Sequence, residues 1–85
     1  MNGTEAAKAA VRHLADLTGR ETEAVVGLDK GDDGWRVVLE TVELRRVPST
    51  TDVLATYEVA LDTDGELSGC RRVQRYSRGA TREEE

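Results

Sequence analysis

The chain has 85 residues and a formal net charge of -5, from 17 acidic and 12 basic side chains. A domain this small buries only about 60–65% of its unfolded surface. With 38% hydrophobic residues, no Phe, one Trp and two Tyr, it has material for one sheet covered on one face by one helix, which argues against a substrate cavity of ~300 Å3 or more inside one protomer. The acid excess argues against a general nucleic-acid binder working through bulk charge. Cys70 is the one cysteine, so no intramolecular disulfide scaffold is possible. The N-terminus lacks the basic and apolar regions of a signal peptide, and no apolar run approaches the ~18 residues of a membrane span. The expectation is a cytoplasmic protein with neither a membrane nor a nucleic acid as partner.

In chain order, Asn2 or Thr4 can cap a helix, and Asn2 has Glu5 three positions on, as a capping box requires. Ala7, Ala10, Val11, Leu14 and Leu17 fall on one face, with Lys8, Arg12 and Asp16 opposite. Gly19 is placed to end the helix. An alanine-rich stripe lets a helix sit close to a sheet but contributes little area, so this helix depends on the sheet. Ala24, Val26 and Leu28 alternate within a strand from Glu23 to Asp29 that Gly27 weakens. Lys30 to Gly34 reads as a loop.

Trp35 to Val47 reads as a long strand whose hydrophobic phase changes, since Trp35, Val37 and Leu39 share one face while Val42 and Leu44 belong to the other. A β-bulge near Glu40 or Thr41 would repair the register, and Pro48 ends the strand. Ser49, Thr50 and Thr51 form a polar connection. The clearest signal follows, a hairpin from Asp52 to Gly79. Val53, Ala55, Tyr57, Val59 and Leu61 line its drier face, Asp64-Gly65 supplies the turn, and Leu67, Gly69, Arg71, Val73 and Arg75 run back along one face. Residues 80–85 read as a disordered acidic tail after a single domain at 1–79. The predicted class is α+β, an N-terminal amphipathic helix packed on a four-stranded antiparallel meander. Trp35, Pro48, Tyr57, Asp64 and Gly65 are the expected structural positions.

Candidate chemistry is sparse. His13, the single histidine, reads as a half-buried boundary residue, because no acid, Ser or second ligand has a spacing that brings it near. Cys70 shares its strand face with Arg72 but not with Arg71, and reads as passive. Asp62-Thr63-Asp64-Gly65-Glu66 alternates acids like a calcium loop, yet its Gly comes fourth and a strand starts directly after it, so it reads as a solvated turn. No catalytic group, cofactor site or metal site is expected. The arginines remain: five lie between Arg71 and Arg82 with no acid among them. By strict alternation Arg71, Val73, Arg75 and Ser77 share one face, and Arg72, Gln74, Tyr76 and Arg78 the other. They serve either to blunt an edge strand and pair with Glu40, Glu43 and Glu58, or to dock a partner through Arg71, Arg72, Arg75, Tyr76 and Arg78.

Trp35 to Pro48 (WRVVLETVELRRVP), Thr51-Asp52-Val53-Leu54-Ala55, Tyr57-Glu58-Val59, Leu61-Asp62, Asp64-Gly65-Glu66-Leu67, Arg71-Arg72, Arg75-Tyr76 and Arg78-Gly79 succeed one another in an order that resembles the gas vesicle protein O family. The resemblance covers about Gly34 to Gly79, and its specificity lies in the ordered combination; Cys70 stands where an aromatic residue is expected. It implies a gas-vesicle-associated accessory protein needed for assembly, with other gas vesicle proteins, shell or accessory, as partners and no enzymatic activity. A main shell subunit would present a strongly apolar face, whereas 34% charged residues and a mean hydropathy of -0.55 do not. Two other readings are a PepSY-like binding or inhibitory module, against which the missing signal peptide counts, and a regulator contacting nucleic acid, against which net charge counts.

Overall fold

Helix α1 (Gly3–Thr18) begins at the expected cap. In this computed structural model, which describes residues 1–48 and 51–79, the Glu5 backbone N–H donates to the Asn2 side chain at 2.8 Å and the Asn2 N–H donates to the Glu5 carboxylate at 2.8 Å. This reciprocal box satisfies two donors that the first helical turn leaves open. Gly19 closes the helix in the left-handed region at φ 70°, donating its N–H to the Ala15 carbonyl at 2.8 Å. The buried stripe is Ala6, Ala9, Ala10 and Leu14, with Ala7 and Val11 half-buried beside it. Leu17 departs from the predicted stripe: the contact with the core stops at Leu14, and Leu17, one turn beyond, is exposed.

Strands β1 (Thr22–Gly31), β2 (Gly34–Leu44), β3 (Val53–Leu61) and β4 (Leu67–Ser77) form one four-stranded sheet in the order β1-β2-β3-β4. Every neighbouring pair is antiparallel, so the α+β meander stands as expected. Trp35 opposite Leu61, Val37 opposite Val59 and Leu39 opposite Tyr57 lie on the face that α1 covers. Ala6, Ala9, Ala10, Leu14, Val37, Leu39, Val59 and Leu61 make the core, flanked by Val11, Trp35, Tyr57, Leu67 and Cys70. Each large apolar side chain fully buried here contributes about 1.5–3 kcal/mol. His13 ties the helix down at its flank, its Nε2–H donating to the Gly65 carbonyl at 3.0 Å.

Strand ends and bulges differ from the sequence expectation. The segment predicted as a loop from Lys30 is strand as far as Gly31, leaving Asp32-Asp33 as a two-residue turn. Gly34 permits this tightness, because it takes φ 144° and a Cβ there would collide with the backbone of Leu61 and Asp62. Strand β2 stops at Leu44 and not at Val47, and its register shift falls between Val42 and Leu44, so Glu43 is the extra residue in place of Glu40 or Thr41. Pro48 lies beyond that end, its carbonyl accepting from the Thr51 backbone N–H at 3.0 Å and hydroxyl at 2.8 Å. In β1 the shifts at Thr22/Ala24 and Val25/Gly27 break the predicted alternation, and Val25, Val26 and Leu28 are exposed on this edge strand.

The β3–β4 turn forms as expected around Gly65 at φ 88°. Asp62 organises it: one carboxylate oxygen accepts from the N–H groups of Asp64 at 2.9 Å and Glu66 at 3.0 Å, while the Gly65 N–H donates to the Asp62 carbonyl at 3.0 Å. Ser49, Thr50 and the predicted tail at 80–85 lie outside the described residues.

Candidate partner-docking surface

The arginines of β4 do not alternate as strict strand geometry predicts. The β3–β4 register pairs Thr56 with Gln74 but Tyr57 with Arg72, leaving Val73 as an extra residue. A bulge re-aims every side chain beyond it. Arg72 and Arg75 therefore come to the same face, with Cys70 and Ser77, and Arg71, Gln74 and Tyr76 take the other. The assignment of Arg75 to the face of Arg71 is corrected by this one inserted residue.

What Arg72 and Arg75 meet is Glu43, itself displaced by the β2 bulge. Its side chain is 7% exposed. One carboxylate oxygen accepts from Arg72 at 3.3 Å and Arg75 at 3.0 Å, and the other accepts from the Tyr57 hydroxyl at 2.9 Å. Arg20, just past α1, donates to the Glu43 backbone carbonyl at 2.6 Å. Burial alone would raise the Glu43 pKa; the Tyr57 hydrogen bond and the charges of Arg72, Arg20 and Arg75 outweigh it and hold the carboxyl below its ordinary value. Tyr57 moves the opposite way, its phenol pushed up by burial and by the neighbouring carboxylate. The guanidiniums stay accessible, with the Arg72 and Arg75 side chains 49% and 54% exposed.

Arg71 pairs with Glu58 at 3.1 Å on the other face, where Arg36 joins the same carboxylate at 3.5 Å. Tyr76 is half-buried on that face. Arg78 lies past the end of β4 and grips Glu23 through two hydrogen bonds, at 2.7 and 2.8 Å, and Asp52 at 3.1 Å. Since β4 and β1 are opposite edges of the sheet, this guanidinium reaches across β3 and β2. The hydrogen bond from Arg78 holds the Glu23 carboxyl low, and Asp52 is held low first by the Arg46 N–H at 2.7 Å and then by Arg78, against the effect of burial. Composition gave no hint of this clasp.

The remaining sequence candidates sit apart from these groups. Cys70 is half-buried against the core, and burial pushes its thiol pKa up. Trp35 is half-buried with the Lys30 ammonium 5.6 Å from its ring centroid. Among the described residues no group of three or more His, Cys, Asp or Glu is placed to hold a metal ion, and no helix is long and apolar enough to cross a membrane.

A helix-on-meander fold whose arginines pair with carboxylates of neighbouring strands defines a small α+β protein. The chain belongs to the Gas vesicle synthesis protein GvpO family, whose match covers residues 1–82. It is similar to Gas vesicle protein O of Streptomyces sp. (strain CB03234), 53% identical over 72 residues, which are 85% of this chain and 56% of that protein. It is 39% identical to Gas vesicle protein O1 of Halobacterium salinarum, over 81% of this chain and 58% of that one. Gas vesicle protein O of Haloferax mediterranei is also 39% identical, over 81% of this chain and 50% of its own length. The chain thus spans about half the length of the curated relatives it matches. No solved structure gives a significant match. The family ties the chain to gas vesicle synthesis.

Proposed function

We propose that this chain is a cytoplasmic accessory protein of gas vesicle formation, acting through contacts with other gas vesicle proteins and not as the main shell subunit or as an enzyme. The observation that carries the reading is the pair Arg72 and Arg75, half-exposed and oriented by one nearly buried carboxylate. Guanidiniums held in place lose little entropy on binding, and arginine is enriched among residues that dominate interfaces. An exposed ion pair contributes about 0–1 kcal/mol to folding, to which leaving the nearly buried Glu43 without its arginines adds a desolvation cost, whereas replacing an arginine at the centre of an interface costs about 2 kcal/mol or more in binding.

The test is Arg72→Ala with Arg75→Ala, scored for vesicle formation in a strain lacking the native copy and for pull-down of the other vesicle proteins. Because this double change strips Glu43 of both partners, a triple change adding Glu43→Gln controls for the buried charge. Folded variants that lose vesicles and pull-down support the reading. Folded variants that retain both remove Arg72 and Arg75 from it. Reproducible turnover by the purified protein, lost on changing His13 or Cys70, would contradict the non-enzymatic part.

A further inference from the structure

Charge is segregated along the strands. The end that carries the β1–β2 and β3–β4 turns bears Asp29, Asp32, Asp33, Asp62, Asp64 and Glu66, with Lys30 and Arg36 as the bases among them. The opposite end bears Arg20, Arg45, Arg46, Arg72, Arg75 and Arg78 against Glu21, Glu23, Glu40, Glu43 and Asp52. Among the described residues the cations there outnumber the carboxylates by one, although the whole chain is at -5. The excess has an address. Glu43 is shared by Arg72 and Arg75 and feels the charge of Arg20, which donates to its backbone carbonyl, and the Arg46 guanidinium makes no ion pair among the described residues. Arg46 and Arg75, with Val53, Tyr76 and Ser77, line an open depression of about 370 Å3. At the acidic end Asp32 and Asp33 are exposed in a two-residue turn, flanked by exposed Gly31 and by Gly34, which is buried against the backbone of Leu61 and Asp62.

We propose that the acidic β1–β2 tip of one copy docks into the Arg46–Arg75 depression of a second copy, joining chains head to tail. Eleven-residue strands such as β2 and β4 run roughly 36 Å at 3.3 Å per residue, so the two ends lie several screening lengths apart at ~8 Å in physiological salt. Each end then meets its complement while the overall negative charges of the two copies repel only weakly. A long polyanion would track past both ends and meet the acidic one. A short acidic tip does not. The two patches differ, so the contact is heterologous and open, and growth is set by concentration. The proposal concerns self-association and stands apart from the vesicle-partner reading above.

Sedimentation equilibrium of the purified chain tests it. At ~20 mM salt the weight-average mass should rise above 9.3 kDa with concentration, and at ~0.5 M salt it should return to the monomer, because screening shortens with ionic strength. Arg46→Glu leaves every described ion pair intact, and Asp32→Lys with Asp33→Lys sits on an exposed turn, so both variants keep the fold, checked by circular dichroism. Each alone should associate at least ~10-fold more weakly, since like charges then face each other, and equimolar mixing should restore association. A chain that stays monomeric at every concentration in low salt overturns the proposal and leaves the basic end to an acidic segment of another protein. Association that ignores both charge reversals overturns it equally. Vesicle complementation is read separately, so either idea can fail alone.

Discussion

The half of the sheet under α1 and the half beyond it are made from the same four strands and held by different forces. Under the helix, Val37, Leu39, Val59 and Leu61 meet Ala6, Ala9, Ala10 and Leu14, all 3% exposed or less. Beyond it, Val42, Leu54 and Ala55 are buried as well, and charged groups tie the strand ends: Glu43 gathers Arg72, Arg75 and Tyr57, and Arg78 clasps Glu23 and Asp52. Apolar burial is indifferent to pH and non-directional. Ion pairs around a nearly buried carboxylate are directional and depend on its charge state. The first region therefore supplies most of the stability, and the second adds a share that depends on pH and sets where arginines point. A small protein with thin apolar means can in this way keep exposed guanidiniums in fixed positions.

The comparison is broken most severely at Leu14. It is fully buried and is the one leucine that α1 gives to the core, so Leu14→Ala should cost about 2–5 kcal/mol in urea unfolding. A cost under about 1 kcal/mol would mean that the helix is not anchored by this contact. Next is Glu43→Gln, which removes the charge facing Arg72 and Arg75 while keeping the shape. A hydrogen bond to a charged group is worth about 1.5–3 kcal/mol, and the half-exposed partners discount this, so a loss of about 1–2 kcal/mol is expected, with the core intact by near-ultraviolet circular dichroism. Smallest is Gly65→Ala. The left-handed φ of 88° costs a side chain about 1–2 kcal/mol, and although Gly65 is buried, the atoms its Cβ would meet belong to the flexible Met1 side chain, which can yield. The expected fall is near the lower figure, a melting-temperature drop of about 4–8 °C. An unchanged melting curve would show that the turn relaxes to another geometry.

The sequence made the covered half legible and the other half much less so. Periodicity places Val37, Leu39, Val59 and Leu61, and local chemistry marks the Asn2 cap, the Gly19 stop and the Gly65 turn, because each depends on residues a few positions apart. The sequence offers Glu40, Glu43 and Glu58 together as partners of the β4 arginines, and the structure gives Glu58 to Arg71 and Glu43 to Arg72 and Arg75. Bulges escape counting along a strand. The extra residues at Glu43 and Val73 are ordinary strand formers with no local mark, and each reverses the facing of the residues after it; strict alternation therefore puts Arg72 and Arg75 on opposite faces when they share one. The phase change after Leu39 did signal a bulge in β2, but its site is fixed by pairing with Val53 and Leu54 across the sheet. The clasp of Arg78 on Glu23, separated by 55 residues, depends on the twist of the whole sheet, and Asp62 shows its turn-building role only once the donors around it are placed. The proposed docking role of Arg71, Arg72, Arg75, Tyr76 and Arg78 rests on the geometry of two faces and a strand end, which composition alone cannot separate.

The central claim, that ionised carboxylates hold the helix-free end, is tested most directly by urea unfolding of the native chain and of Glu43→Gln across pH. The folded-state pKa of Glu43 is depressed below its ordinary 4.5, so its stabilisation is fully present above the unfolded value and is lost as pH falls through the folded one. The account predicts a constant stability gap between the two proteins at pH well above 4.5, narrowing steadily below it as the native carboxyl takes up its proton. Two curves that stay parallel from neutral to acid pH would contradict it.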